Sequence, residues 1–225
     1  GLLTIGVGLY FLSLRDDQLS RLWWGISLLL WGIGALLAGT SYQAFGYQIK
    51  CAGQETCALT RRWEVVYLMF QQVNIDALLA AIAFSSATGT LQRVLLGYAL
   101  LSAVVYVLIA FVGAVAPLRT LITFELMVWI SSPIFLAALM INGWRYYWLS
   151  TPMDLALLGA WVGLLFILTA YWIYNKLDIT PRLWARGKGI WFSQNDVLHI
   201  GLILWMIYLA AVVANRVNDY VVPMQ

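Results

Sequence analysis

One histidine and three carboxylates lie in stretches of the chain that are otherwise apolar: Asp76, Glu125, Asp196 and His199. An ionisable group inside an apolar span costs about 2.5–3.5 kcal/mol on insertion scales, so such residues are functional candidates by default. Asn195 and His199 stand at i and i+4, on one helical stripe, with Asp196 beside them. A histidine four residues after another donor is a spacing that can grip a metal ion. The same segment, Ser193-Gln194-Asn195-Asp196, also reads as a helix start, with Ser193 or Asn195 as the cap and Asp196 in the first turn. Capping does not account for His199, the only histidine, which stands just before the charge-free run 202–214. Milder polar candidates are Thr40, Ser41, Tyr42 and Gln43 in one stretch, and Gln71, Gln72 and Asn74 beside Asp76.

The elements that carry these residues follow from composition. The 225 residues are 63% hydrophobic and 10% charged, with a mean hydropathy of +0.84. Soluble domains sit near 45–50% apolar and about 25% charged. That excludes a soluble enzyme, a disordered regulator and a disulfide scaffold. A net charge of +3 spread over separate loops offers no basic face, so nucleic acid is excluded as a partner. The reading that remains is an all-α integral membrane protein, a seven-transmembrane-helix bundle in one domain, 1–225, whose partner is the lipid bilayer.

A crossing helix needs roughly 20 mostly apolar residues. The expected spans are 1–14, 22–46, 63–86, 94–116, 118–142, 153–175 and 194–216. No basic leader or small-residue cleavage site marks 1–14 as a signal peptide, so it reads as the visible part of a first span. Twelve tryptophans, among them Trp23, Trp24, Trp63, Trp144, Trp148, Trp184 and Trp191 at span ends, read as an interfacial belt. Gly25, Gly32, Gly34 and Gly39 in the second span should allow close helix packing. Pro133 should kink the fifth, with Ser131 and Ser132 satisfying freed backbone groups. A retinal protein is excluded, because Lys50, Lys176 and Lys188 all lie in connectors and none can form a Schiff base in the last span.

Depth organises the polar candidates. At about 1.5 Å per residue, Gln43 lies about 10 Å before Lys50, Glu125 about 9 Å past Arg119 and Asp76 about 18 Å past Glu64. His199 lies about 16 Å past Lys188 on a continuous helix, and less if Gly187 and Gly189 break it. All fall in one half of the membrane or near its midplane, on the side of the connectors after spans two, four and six. This predicts a polar cavity opening to that side, able to take a lipid or small amphipathic ligand. The same connectors carry eight basic residues against five on the other side, which favours them as cytoplasmic. Cys51 and Cys57 share one of these connectors, and a disulfide between them would demand the opposite orientation. Orientation and the disulfide stay open.

The segment Phe192-Ser193-Gln194-Asn195-Asp196-Val197-Leu198-His199-Ile200 resembles the last-helix signature of the CREST superfamily. That group holds alkaline ceramidases, progestin and adipoQ receptors, lipid-remodelling hydrolases and RNA-uptake channel proteins. The resemblance implies seven helices and a zinc site, with a bound water attacking a lipid amide or ester. It makes His199 and Asp196 metal ligands, Asp76 the polar partner of the water, and Ser41 or Thr40 a donor to the oxyanion. Gln43 and Asn195 stand where two of the three zinc-binding histidines would be. Neutral amides are poor zinc ligands. The resemblance therefore implies a ceramidase-like membrane hydrolase or a degenerate, metal-free form of one. The alternative is a non-catalytic protein that binds a lipid or small molecule in the same cavity.

Overall fold

The computed structural model describes residues 1–39, 62–116, 118–188 and 192–221, with the backbone alone at 62–64, 119, 124, 125, 187 and 188. The described residues are all-α and contain eight α-helices: α1 (Leu2–Ser13), α2 (Leu19–Gly39), α3 (Arg62–Ser86), α4 (Gly89–Val115), α5 (Phe124–Leu149), α6 (Pro152–Lys176), α7 (Ile179–Leu183) and α8 (Gln194–Tyr208). A 3-10 turn, Arg119–Ile122, precedes α5, and π-turns follow α7 and α8 at Trp184–Lys188 and Leu209–Val213. Six of the helices (α2 to α6, and α8 with its π-turn) are long and apolar enough to cross a membrane. Length and composition mark a multi-pass membrane protein. The helix α1 has 12 residues, about 18 Å, short of the roughly 20 residues a crossing needs.

Two expected spans are displaced. The fourth begins at Gly89 rather than 94, because Gly89 (φ +60) makes the turn from α3. The fifth runs 124–149 rather than 118–142, since the 3-10 turn and an extended Thr123 occupy its expected start. Glu125 is therefore the second residue of α5 and lies outside the apolar span Leu126–Leu149. Single left-handed residues also shape the other tight turns: Asp16 between α1 and α2, Ser150 between α5 and α6, and Asp178 between α6 and α7.

The chain forms two compact units, 1–140 with 217–225, and 141–216. In the first, α1 packs on α2 through facing glycines. A Cβ at Gly25 would stand 3.0 Å from the Gly8 carbonyl oxygen, and one at Gly32 2.9 Å from the Gly1 carbonyl oxygen. Gly34 gives the same close approach to α3, where a Cβ would meet Phe70 and Gln71, whereas nothing crowds Gly39. Trp24 is not an interfacial anchor: it is fully buried and stacked on Phe11, with ring centroids 5.6 Å apart. Trp144, Trp148 and Trp184 are exposed, as a lipid belt requires.

The helix α3 packs against both α2 and α4. Its apolar window is 67% buried, against 22–33% for the other five spans. That enclosure explains why the most polar span, with Gln71, Gln72, Asn74 and Asp76, is tolerated: its polar groups face protein instead of lipid. One end of the α3–α4 contact closes on Val65, Leu68, Tyr106, Ala110 and Met127. The tail after α8 returns to this unit, where both Asp219 carboxylate oxygens accept from the α2 N-terminus, Leu19 N at 2.9 Å and Ser20 N at 2.6 Å. Arg21 holds the same tail through Val217 O (2.7 Å) and Asn218 Oδ1 (2.9 Å).

Pro133 removes the donor that would pair Trp129 O, and the Ser132 hydroxyl supplies a replacement at 3.0 Å. In the second unit α8 runs antiparallel to α6. Trp205 Nε1 donates to Ala160 O (2.7 Å) and the Tyr208 hydroxyl to Ala156 O (3.0 Å). Gly159 leaves the room that Tyr208 occupies.

Candidate functional site

Asp76 lies near the middle of α3, 3% exposed, one turn after the fully buried Gln72. The Gln72 amide Nε2 stands 3.2 Å from each of three oxygens: Asp76 Oδ1, Asp76 Oδ2 and Ser102 Oγ of α4. Its Oε1 is buried with no hydrogen-bond partner, and so is the hydroxyl of Tyr106, one turn beyond Ser102. Unsatisfied polar atoms this deep are uncommon in native proteins and ask for an explanation. Gln71 and Asn74 are separate from this group. Asn74 Nδ2 donates to Gln71 O at 2.6 Å, so its polarity is absorbed within α3.

The start of α8 realises the expected cap. Ser193 Oγ accepts from Asp196 N at 3.4 Å, and Asp196 Oδ2 accepts from Ser193 N (2.6 Å) and Ser193 Oγ (2.7 Å), a reciprocal capping box. His199 is exposed, five residues past Gln194 and so about 8 Å into the helix. Its Nδ1 lies 2.6 Å from Asn195 O. A carbonyl only accepts, so Nδ1 carries a proton, and in the neutral ring Nε2 is then the acceptor nitrogen.

Beside this helix start is an open cleft of about 460 Å³. Its polar lining is Tyr174, Asn175, Asp178, Thr180, Ser193, Gln194 and Asn195. The hydroxyls of Tyr174 and Thr180 both donate to Phe192 O at 2.8 Å, fixing the strand of chain that forms one wall.

A third polar cluster carried no expectation from sequence. Asp154, fully buried in the first turn of α6, pairs with Arg145 of α5, Nε to Oδ1 at 2.8 Å. Thr151 Oγ1 donates to Asp154 Oδ2 (2.6 Å) and accepts from Asp154 N (3.0 Å). Asn142 Nδ2 reaches Asp154 Oδ1 (3.4 Å), and Trp161 Nε1 donates to Asn142 Oδ1 (2.8 Å). By charge alone Arg145 belongs to a connector, but it lies inside α5 and is 7% exposed. The signal was present in Thr151-Pro152-Met153-Asp154, a cap residue, a proline at the first helical position and an acid two residues on.

Of the expected site residues, Asp76 belongs to the first unit, and Asp196 and His199 belong to the second. Ser41, with Thr40 and Gln43, and the Cys51–Cys57 pair lie outside the described residues. Among the described residues no group of three or more His, Cys, Asp or Glu could hold a metal ion. His199 Nε2 is a zinc-type donor, Asp196 is engaged by Ser193, and Asn195 offers a neutral amide. This donor set does not fit a zinc site built on the described residues. No family model, curated protein or solved structure matches the chain.

Proposed function

We propose that the chain is a seven-helix, CREST-like membrane protein that binds a lipid or small amphipathic molecule without hydrolysing it, with α1 counted as part of the first of its seven spans. The carrying observation is that Asn195, which the resemblance puts in a histidine's place, lines the cleft at the start of α8. The cleft sits where the apolar spans α6 and α8 give way to polar connectors, the level at which headgroups lie. Its hydrogen-bonding groups are neutral except for Asp178, which suits hydroxyl, amide or ammonium headgroups and disfavours a bare phosphate. The doubly held Phe192 carbonyl keeps the wall in place, lowering the ordering cost of binding.

Native mass spectrometry of protein extracted in mild detergent tests this reading. Wild type should carry a retained amphiphile that Asn195→Trp, by filling the cleft, releases. Equal retention by both proteins would contradict it.

The second reading is the hydrolase itself, and one observation favours it: the Asn195 carbonyl fixes His199 in the tautomer a metal ligand or general base uses. Stoichiometric zinc in purified protein, lost in His199→Ala, would select that reading.

A further inference from the structure

The hydrogens in the wall of the cleft at the start of α8 are already spoken for. Three of its lining residues, Tyr174, Thr180 and Ser193, carry hydroxyls, and each has committed its one proton to another protein group. Tyr174 and Thr180 both donate to Phe192 O at 2.8 Å, and Ser193 Oγ donates to Asp196 Oδ2 at 2.7 Å. A hydroxyl whose proton is spent has only lone pairs left for a ligand. The side-chain amides of Asn175, Gln194 and Asn195 offer acceptor and donor alike, and Pro181 has no backbone N–H. Asp178 adds a carboxylate, and an ionised carboxylate only accepts. The side chains of the lining are thus weighted toward acceptors, with one negative charge among them.

The Asp178 carboxylate, by contrast, is not used by the fold. Asp178 stands at the N-cap position of α7, but its backbone is left-handed, φ 48 and ψ 42, and its side chain makes no cap hydrogen bond. A capping aspartate needs an extended backbone to turn its oxygens onto the first helical N–H groups. Among the described residues no cation pairs with it. Lys176, Arg182 and Arg186 are its neighbours in sequence, and Lys176 Nζ lies over the Trp172 ring, 6.0 Å from its centroid.

We propose that this cleft selects an amphiphile with a primary ammonium headgroup, with Asp178 as the counter-charge and the acceptor oxygens of the wall taking its N–H groups. The proposal rests on the cleft being the ligand site, as read above, and names the headgroup that site prefers. A primary ammonium brings three donors and one positive charge, the complement of such a lining. An alcohol brings one donor and no charge, and a quaternary ammonium brings charge without any N–H. Exposed Ile173 and Leu177, just before Asp178, give the attached chain an apolar surface.

The test is native mass spectrometry of the full chain in mild nonionic detergent, incubated with equimolar dodecylamine, dodecyltrimethylammonium and dodecanol. Wild type should retain the primary amine about tenfold or more over the other two, the scale of one charge-assisted hydrogen bond, and Asn195→Trp should release it. Asp178→Asn, isosteric and at an exposed position, should lower amine retention about tenfold and leave dodecanol retention unchanged. Raising the ionic strength should weaken amine retention in wild type but not in the variant. Methylamine in large excess should fail to displace dodecylamine; ready displacement would support the ammonium site and assign it a soluble amine. Equal retention of amine and alcohol, both lost in Asn195→Trp, overturns the ammonium preference while the cleft stands as a ligand site. A preference for the trimethylammonium, or equal amine retention by wild type and Asp178→Asn, overturns it likewise. Retention of all three that Asn195→Trp leaves unchanged overturns the ligand site and the preference together.

Discussion

Arg145 and Asp154 meet across the tight α5–α6 turn, Nε to Oδ1 at 2.8 Å, with the carboxylate fully buried and its second oxygen held by Thr151. Breaking such a pair from one side leaves a buried charge alone, which typically costs about 3–5 kcal/mol. Asp154→Ala should therefore lower stability in detergent by about that much. Arg145→Met with Asp154→Leu together should cost clearly less than the two single changes added, as read from a double-mutant cycle of unfolding free energies.

Asp219 caps α2 from 200 residues away, through Leu19 N and Ser20 N. Asp219→Ala should cost about 0.5–2 kcal/mol, the range for a lost cap. Asp219→Asn should keep part of it. Faster hydrogen exchange at the Leu19 and Ser20 amides would report the loss locally, and unchanged exchange would show that the tail does not cap in solution.

Ser132 answers for the donor that Pro133 removes. Ser132→Ala alone should cost on the order of 1 kcal/mol, one net hydrogen bond. In a Pro133→Ala background Ser132→Ala should be nearly neutral, because the backbone N–H restored by that change can then donate to Trp129 O. Equal effects in both backgrounds would detach the serine from the proline.

Glycines should divide by what faces them. Gly25→Ala puts a methyl 3.0 Å from the Gly8 carbonyl oxygen and 2.6 Å from Leu12, and should loosen the α1–α2 contact. Gly97→Ala in α4 meets nothing within 4 Å and should stabilise by about 0.5–1 kcal/mol through helix propensity. Tm measured for the pair should move in opposite directions.

Much of the fold was legible because charge and hydropathy report directly on spans. The bounds of α3 and α6 follow from runs of apolar residues ended by Arg62 and Lys176. The fifth span was misplaced for a physical reason: Arg145 reads as a connector, since a lone charge is expelled from a span, and nothing local reveals that Asp154 nine residues on will enclose it. The cap at Ser193 was legible because it is a local hydrogen-bond pattern. The meeting of Gln72 with Ser102 was not, because it depends on the register in which α3 and α4 pack. Trp24 shows the same limit, since a tryptophan near a span end looks alike whether it faces headgroups or Phe11.

The most direct test of ligand binding without hydrolysis is photo-crosslinking of the full protein in nanodiscs with a diazirine-tagged N-acyl amino alcohol. Peptide mapping gives the site, and the mass of the adduct shows whether the amide survives. Binding without hydrolysis should give adducts on the cleft residues Tyr174, Thr180 or Asn195, each carrying the intact probe. Adducts confined to other surfaces, or release of the free acyl chain that His199→Ala abolishes, would contradict it.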